Sequence, residues 1–152
     1  MDKELTVEEL LNMNALRLRL FRTSLRMENN VSDLSDREML LLELIGERGE
    51  LTISEITARY SSVSQSTISV ALTRLWRKKL IGKKKRSDNQ RMVNVSLTKA
   101  GLGMLEEVKT VRSNMNKLLL SALQTDEQEE AVLKNVLKRS LAYFNDVLKL
   151  GA

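Results

Sequence analysis

The sequence predicts a mainly α-helical chain with one small β-hairpin near its centre. Three observations lead to this fold class. The 152 residues include no proline and only six glycines, patterns that start helices recur along the chain, and alternation of apolar and polar residues is confined to one short stretch. A chain of this length can bury about 70% of the surface that its unfolded form exposes. We therefore expect long helices that are joined by compact turns and share one core.

The helix starts are marked mainly by capping boxes, in which a Ser or Thr precedes a Glu or Gln by three residues. Single Ser and Thr caps mark the remaining starts. The predicted helices run from Thr6 to about Glu28, from Ser35 to between Gly46 and Gly49, from Thr52 to about Tyr60, from Ser64 or Ser62 to about Lys79, from Thr98 to about Leu123, and from Thr125 to about Leu150.

The period of the pattern changes between the fourth and fifth predicted helices. Ile81–Arg86 and Arg91–Leu97 are short segments separated by the turn-forming residues 87–90, and the second segment alternates valine and leucine with polar residues. This pattern predicts a β-hairpin. Short helices followed by a hairpin are the order of a winged helix-turn-helix, so we assign residues 35–97 to such a domain.

The flanking residues 1–34 and 98–152 form the predicted dimerisation region. The last helix carries two apolar stripes, whereas a surface helix of a monomer needs only one. Closed two-fold dimers are the commonest oligomers, so we expect a homodimer; a monomeric bundle that buries both stripes is the alternative. The two stripes comprise Leu133, Leu137, Leu141, Phe144 and Leu148, and Val132, Val136, Tyr143, Val147 and Leu150.

Positive charge is concentrated at the predicted hairpin. The segment from Arg59 to Arg91 holds ten basic residues against a single acidic one, Asp88, although the whole chain has a net charge of only +5. A basic centre between acidic flanks is typical of a nucleic-acid surface. Because the charge coincides with a turn, a helix and a hairpin, we favour double-stranded DNA as the partner over a merely solvated face.

The fourth predicted helix has one apolar and one polar face. Its inner face carries Ile68, Ala71, Leu72 and Leu75, and the opposite face carries hydroxyl and basic side chains. Small hydroxyls let a helix approach base edges, while basic residues reach phosphates. The candidate DNA-binding residues are Ser64, Gln65, Ser66, Thr67, Ser69, Val70, Thr73, Arg74, Arg77, Lys83, Lys84, Lys85, Arg86, Asn89 and Arg91.

Three of these residues carry more specific expectations. The Gln65 amide can pair with adenine, and Val70 can contact a thymine methyl group. Arg91 lies just after the predicted tip of the hairpin, where an arginine suits a narrow minor groove. Capping alone is the alternative role for the serine and threonine hydroxyls at the start of the helix.

Composition argues against several other functions. The sequence contains no histidine and no cysteine, so it lacks the commonest general base near neutral pH, thiolate nucleophiles and thiolate zinc ligands. We expect neither an enzyme nor a cofactor. No apolar run approaches the roughly 18 residues that a membrane span needs, and Met1–Glu4 lack the pattern of a signal peptide. A cytoplasmic protein with no membrane partner is expected.

The chain resembles the MarR family of winged-helix regulators over essentially its whole length. The resemblance rests on Ser64–Ser69, Leu75, Leu80–Ile81, Arg91 and Val95–Gly101, in this order and at this spacing. It implies a DNA-binding transcription regulator, a repressor in the usual case, whose terminal helices interlock in a dimer on a pseudo-palindromic operator. It also implies that Ser66, Ser69 and Val70 enter the major groove and that Arg91 enters the minor groove.

The sequence departs from the family pattern at three positions. Asn89 stands where an aspartate usually supports the wing arginine, Val70 stands where a basic residue is frequent, and Lys79 stands where a turn glycine is common. We expect Lys79 to adopt a positive φ with some strain. Because many family members respond to small aromatic or phenolic ligands, such a ligand is a further expected partner. A winged helix that docks an acidic protein is the alternative function.

Overall fold

Within residues 3–28, 31, 33–86 and 89–149, which the computed structural model describes, the chain forms six α-helices and a three-stranded antiparallel sheet. This order confirms the predicted fold class. The elements are α1 (Val7–Glu28), α2 (Asp36–Arg48), β1 (Glu50–Thr52), α3 (Ile53–Arg59), α4 (Gln65–Arg77), β2 (Ile81–Arg86), β3 (Asn89–Leu97), α5 (Lys99–Leu123) and α6 (Glu127–Val147).

Local capping explains why most helices begin where the sequence places them. Thr6, Ser35 and Thr52 each form reciprocal hydrogen bonds with the glutamate three residues later, and Ser64 and Thr98 are the caps of α4 and α5. The predicted start of α6 is wrong by one residue, because Asp126 rather than Thr125 is the N-cap. An aspartate is the stronger capping residue.

The sheet contains one strand more than the predicted hairpin. Strand β1 pairs antiparallel with β3, which lies between β1 and β2, and Leu51 is opposite Val95. This strand was missed because it has only three residues, the last of which, Thr52, also caps α3. Strand β3 begins at Asn89, two residues earlier than predicted.

The core lies inside the winged helix and under α5. Fully buried side chains from α2, α3, α4 and the sheet meet there, among them Leu42, Ile56, Leu75 and Val95. The turn after α4 contains Lys79 at a φ of 61°, which confirms the positive φ expected at this position and places a side chain where glycine is favoured. The turn therefore carries some backbone strain.

The terminal helices contribute little to this core. Neither α1 nor α6 contains a buried residue in the described chain, although both carry many large apolar side chains. Leu16 is 56% exposed and Leu141 is 62% exposed. None of the described helices has the length and apolar character that crossing a membrane requires.

Candidate nucleic-acid interface

A cluster of hydroxyl groups lies at the N-terminus of α4. The Ser64 Oγ accepts a hydrogen bond from the Thr67 backbone N–H at 3.2 Å and lies 2.6 Å from the Thr67 Oγ1 and 3.2 Å from the Ser66 Oγ. Ser64 and Ser66 are exposed, whereas Thr67 is half-buried. The predicted capping role of Ser64 is confirmed, and two hydroxyls remain accessible to a ligand beyond the helix end.

The two faces of α4 are as different as its sequence predicts. Ile68, Ala71, Leu72 and Leu75 are all buried against the core. On the outward face Val70 is 52% exposed. Thr73, like Thr67, is half-buried, whereas the other candidates within this helix are exposed. These exposed residues are Gln65, Ser66, Ser69, Arg74 and Arg77. The helix thus offers polar groups and cations along one accessible side.

Strands β2 and β3 form the wing, which carries the second part of the basic surface. Lys83, Lys84 and Lys85 are exposed on β2. The pairing is regular from Ile81 to Lys85 and then shifts, because Lys85 is opposite Val93 while Arg86 is opposite Asn89. Residues 90–92 are therefore extra residues on β3, and such irregularities re-aim side chains at functional sites.

Several predictions fall on the tip of the wing. Arg91 belongs to the irregular part of β3 rather than to the turn. The side chains of Arg86, Asn89 and Arg91, and residues 87–88 altogether, lie outside the described part of the structure. Contact of these side chains with DNA stays a prediction from the sequence.

An aromatic residue connects the wing to α4, which is the candidate recognition helix. Trp76 at the end of α4 is 51% exposed, and the Lys83 Nζ lies 5.4 Å from the centre of its ring. This distance is within the range of a cation–π contact. Trp76 therefore packs beside the wing and holds one cation of β2 close to α4.

The C-terminal end of α4 is fastened to the start of α2. The Lys78 Nζ donates to the Glu38 Oε2 at 2.9 Å and to the Asp33 backbone carbonyl at 2.7 Å. Glu38 is only 1% exposed, and its carboxylate also accepts from the Ser35 N–H at 3.0 Å. The sequence does not predict this pairing of Lys78 with Glu38, because a pair 40 residues apart leaves no local signal.

A second missed residue is Arg37, in the first turn of α2. It lines a surface groove together with Ser66, Val70 and Arg74 of α4. Arg37 lies outside the basic run between Arg59 and Arg91, so the sequence pattern does not single it out. The packing of α2 against α4 places it beside the candidate interface.

A separate cavity of about 210 Å³ lies among α1, α2 and α5. Met39, Val108 and Val111 give it apolar walls, and charged groups lie at its edge. There Arg22 donates to the Asp36 Oδ2 at 3.2 Å and Arg26 donates to the Asp36 Oδ1. Ion pairs thus connect the terminal helix α1 to the winged helix beside this cavity.

The two arginines favour the charged form of the Asp36 carboxyl. Partial burial, the largest single influence, would raise its pKa, but the hydrogen bond from Arg26 and the charges of Arg22 and Arg26 outweigh burial. The pKa of Asp36 therefore lies below its usual value, and the carboxylate stays charged at neutral pH. Its single negative charge compensates only one of the two guanidinium charges, so this cluster keeps a net positive charge beside the cavity.

The three-helix core, the recognition helix and the wing define a winged helix-turn-helix protein. The family model of the MarR family matches residues 34–93. Residues 34–93 are thus similar to the MarR family, in agreement with the resemblance seen in the sequence.

Comparison with solved structures supports the same fold. FabT of Streptococcus pneumoniae in complex with DNA is 24% identical with a TM-score of 0.75, over 92% of this chain and 95% of that one. A mutant of MepR from S. aureus bound to an oligodeoxyribonucleotide is 22% identical with a TM-score of 0.60, over 93% and 99%. BpsR of Bordetella bronchiseptica, whose DNA binding is described as regulated by 6-hydroxynicotinic acid, is 17% identical with a TM-score of 0.67, over 92% and 96%. Among curated protein sequences, none matches the chain.

Proposed function

We propose that this chain is a sequence-specific DNA-binding repressor that holds a pseudo-palindromic operator as a homodimer. The observation that carries the proposal is the outward face of α4, where exposed hydroxyl, amide and guanidinium groups lie beside a wing with three exposed lysines. Solved relatives of the same fold, FabT and a MepR mutant, are bound to DNA. This protein acts as a regulator in the cytoplasm and not as an enzyme.

Each region has its own role in this proposal. Residues 35–97 contact DNA, and residues 1–34 and 98–152 form the dimer. Ser66, Ser69, Val70 and Thr73 face the bases with Gln65, whereas the basic residues of α4 and the wing neutralise phosphates, and Arg91 enters the minor groove. Two recognition helices in a dimer then read half-sites about one helical turn (~34 Å) apart.

A small aromatic or phenolic ligand releases the repressor in this proposal. The cavity among α1, α2 and α5 supports it, because apolar walls and an arginine-rich edge suit such a compound. The name given to BpsR attributes regulation of DNA binding to an aromatic acid in that protein. Docking of an acidic protein has less support, since Val70 is the single aliphatic residue on the exposed face of α4 that the structure describes.

The test measures DNA binding as salt is raised. We expect the chain to select a consensus from a random duplex pool, and its affinity for that duplex to fall by about 10³-fold or more between about 50 and 200 mM salt if six or more phosphates are contacted. Arg91→Ala should weaken binding while the dimer mass stays constant. Weak binding that is insensitive to salt would contradict the proposal, and loss of the dimer in Arg91→Ala would contradict the assignment of the wing.

A further inference from the structure

A groove between α2 and α4 brings together two arginines that are distant in the sequence. Arg37 of α2 and Arg74 of α4 line it together with Ser66 and Val70, and its volume is about 270 Å³. Both arginines are exposed. Within the described part of the chain neither of them forms an ion pair or a hydrogen bond through its side chain.

The carboxylates that flank Arg37 in the sequence do not neutralise it. Asp36 accepts hydrogen bonds from Arg22 and Arg26 of α1, and Glu38 is buried and paired with Lys78. No acidic residue is among the described residues that line the groove. Two positive charges therefore face the same space without compensation.

The position of the groove relative to the wing indicates which part of DNA these charges could contact. Trp76, which contacts the wing, and Arg74 are two residues apart in α4. Side chains two positions apart in an α-helix point in directions that differ by about 200°. The arginine groove and the wing thus lie on opposite flanks of the recognition helix. A helix in the major groove has one phosphate backbone on each flank.

We propose that the groove is a phosphate site, in which Arg37 and Arg74 hold one phosphate of the DNA backbone on the flank of α4 that faces away from the wing. The guanidinium groups supply planar pairs of donors that match phosphate oxygens, and Ser66 lies in the wall of the groove. This inference rests on the proposed DNA binding and adds Arg37 of α2 to the interface.

The test replaces Arg37 by glutamine, which keeps much of the side-chain length and removes the charge. Binding of the Arg37→Gln variant is measured by fluorescence anisotropy, with the duplex selected by the unaltered protein and with a scrambled duplex. We expect about tenfold weaker binding to both duplexes, because a phosphate carries no sequence information. The slope of log affinity against log salt should become shallower by about 0.9 per half-site.

Arg48→Gln is the matched control. Arg48 lies at the other end of the same helix, is exposed and lines a different groove, so its replacement changes the net charge equally. Equal losses in the two variants would assign the effect to the overall field and overturn the phosphate site, as would unchanged affinity and slope in Arg37→Gln. If the unaltered protein selected no duplex from the random pool, the proposed function itself would be wrong, and the phosphate site with it.

Combining two variants tests whether one phosphate is shared. If Arg37 and Arg74 hold the same group, the double variant Arg37→Gln/Arg74→Gln should lose less affinity than the product of the two single losses. Losses that simply multiply would show two independent contacts and overturn the shared site. Circular dichroism of each variant shows that the fold is retained, which is expected because both side chains are exposed.

Discussion

A single residue, Gly101, determines how closely α5 can approach the turn between α4 and β2. Helix α5 begins against the turn that follows α4, where the Leu80 carbonyl accepts from the Thr98 N–H at 3.0 Å and the Lys79 carbonyl accepts from the Thr98 hydroxyl at 2.6 Å. A Cβ on Gly101 would lie 2.0 Å from the Leu80 carbonyl oxygen. The absence of a side chain at Gly101 therefore permits this junction between the proposed dimer helices and the DNA-binding lobe.

Gly101→Ala should destabilise the protein by about 1–3 kcal/mol, because the new methyl group meets backbone rather than a movable side chain. Gly103→Ala is the control, since nothing lies within 4 Å of a Cβ at that position of the same helix. The control should be stabilised by up to about 1 kcal/mol through its higher helix propensity. Urea denaturation measures both, and equal stabilities for the two variants would contradict the close packing at Leu80.

At the scale of elements, the sequence predicts what is local and misses what is not. Caps are encoded within four residues, so most helix starts were predicted correctly. The cap of α6 was misplaced because Thr125 and Asp126 each precede a Gln or Glu by three residues, and the stronger capping residue prevails. The position of Arg37 beside Arg74 depends on how α2 packs against α4, which no periodicity encodes.

The link between α2 and α4 also depends on such a distant pair. Lys78→Met removes the cation that neutralises the buried Glu38 carboxylate, and we expect a loss of about 2 kcal/mol in the free energy of unfolding. Lys84→Met, at an exposed position of β2, is the control and should change stability by less than about 0.5 kcal/mol.

A double variant separates the effect of the buried Glu38 charge from the effect of changing the Lys78 side chain. Glu38→Gln in the Lys78→Met background removes the buried charge while its amide oxygen still accepts from the Ser35 N–H, so it should recover part of the lost stability. Urea denaturation again provides the measurement. If the double variant loses more free energy of unfolding than the two single variants lose together, the pair does not act through the buried charge.

At the scale of the whole molecule, the densest basic surface and the exposed apolar faces of the terminal helices lie on different elements. The densest run of basic residues lies in α4 and the wing, beside the Arg37 groove, whereas the exposed apolar side chains of α1 and α6 form the proposed dimer region. Apolar surface of this extent on two long helices is far from what an isolated monomer tolerates. A dimer that buries it would also fix the distance between two recognition helices, and hence the spacing of the half-sites.

The apolar face of α6 provides the most direct test of this arrangement. Leu141 is 62% exposed in the single chain, so Leu141→Glu should leave the folded lobe intact but place a carboxylate in the proposed dimer interface, where burial without a partner costs several kcal/mol. We expect light scattering to show a dimer for the unaltered protein and a shift to monomer at low micromolar concentration for the variant. Affinity for a two-half-site operator should then fall by a large factor, while affinity for a single half-site stays nearly constant.

Lys138→Glu, on the exposed polar side of α6, introduces a carboxylate into the same helix without touching the apolar face and should remain a dimer. Because it changes the net charge more than Leu141→Glu does, it also separates dimer loss from weaker attraction to DNA. A dimer mass that persists in Leu141→Glu would show that this face of α6 lies outside the interface. The terminal helices would then require a different partner surface to cover their apolar side chains.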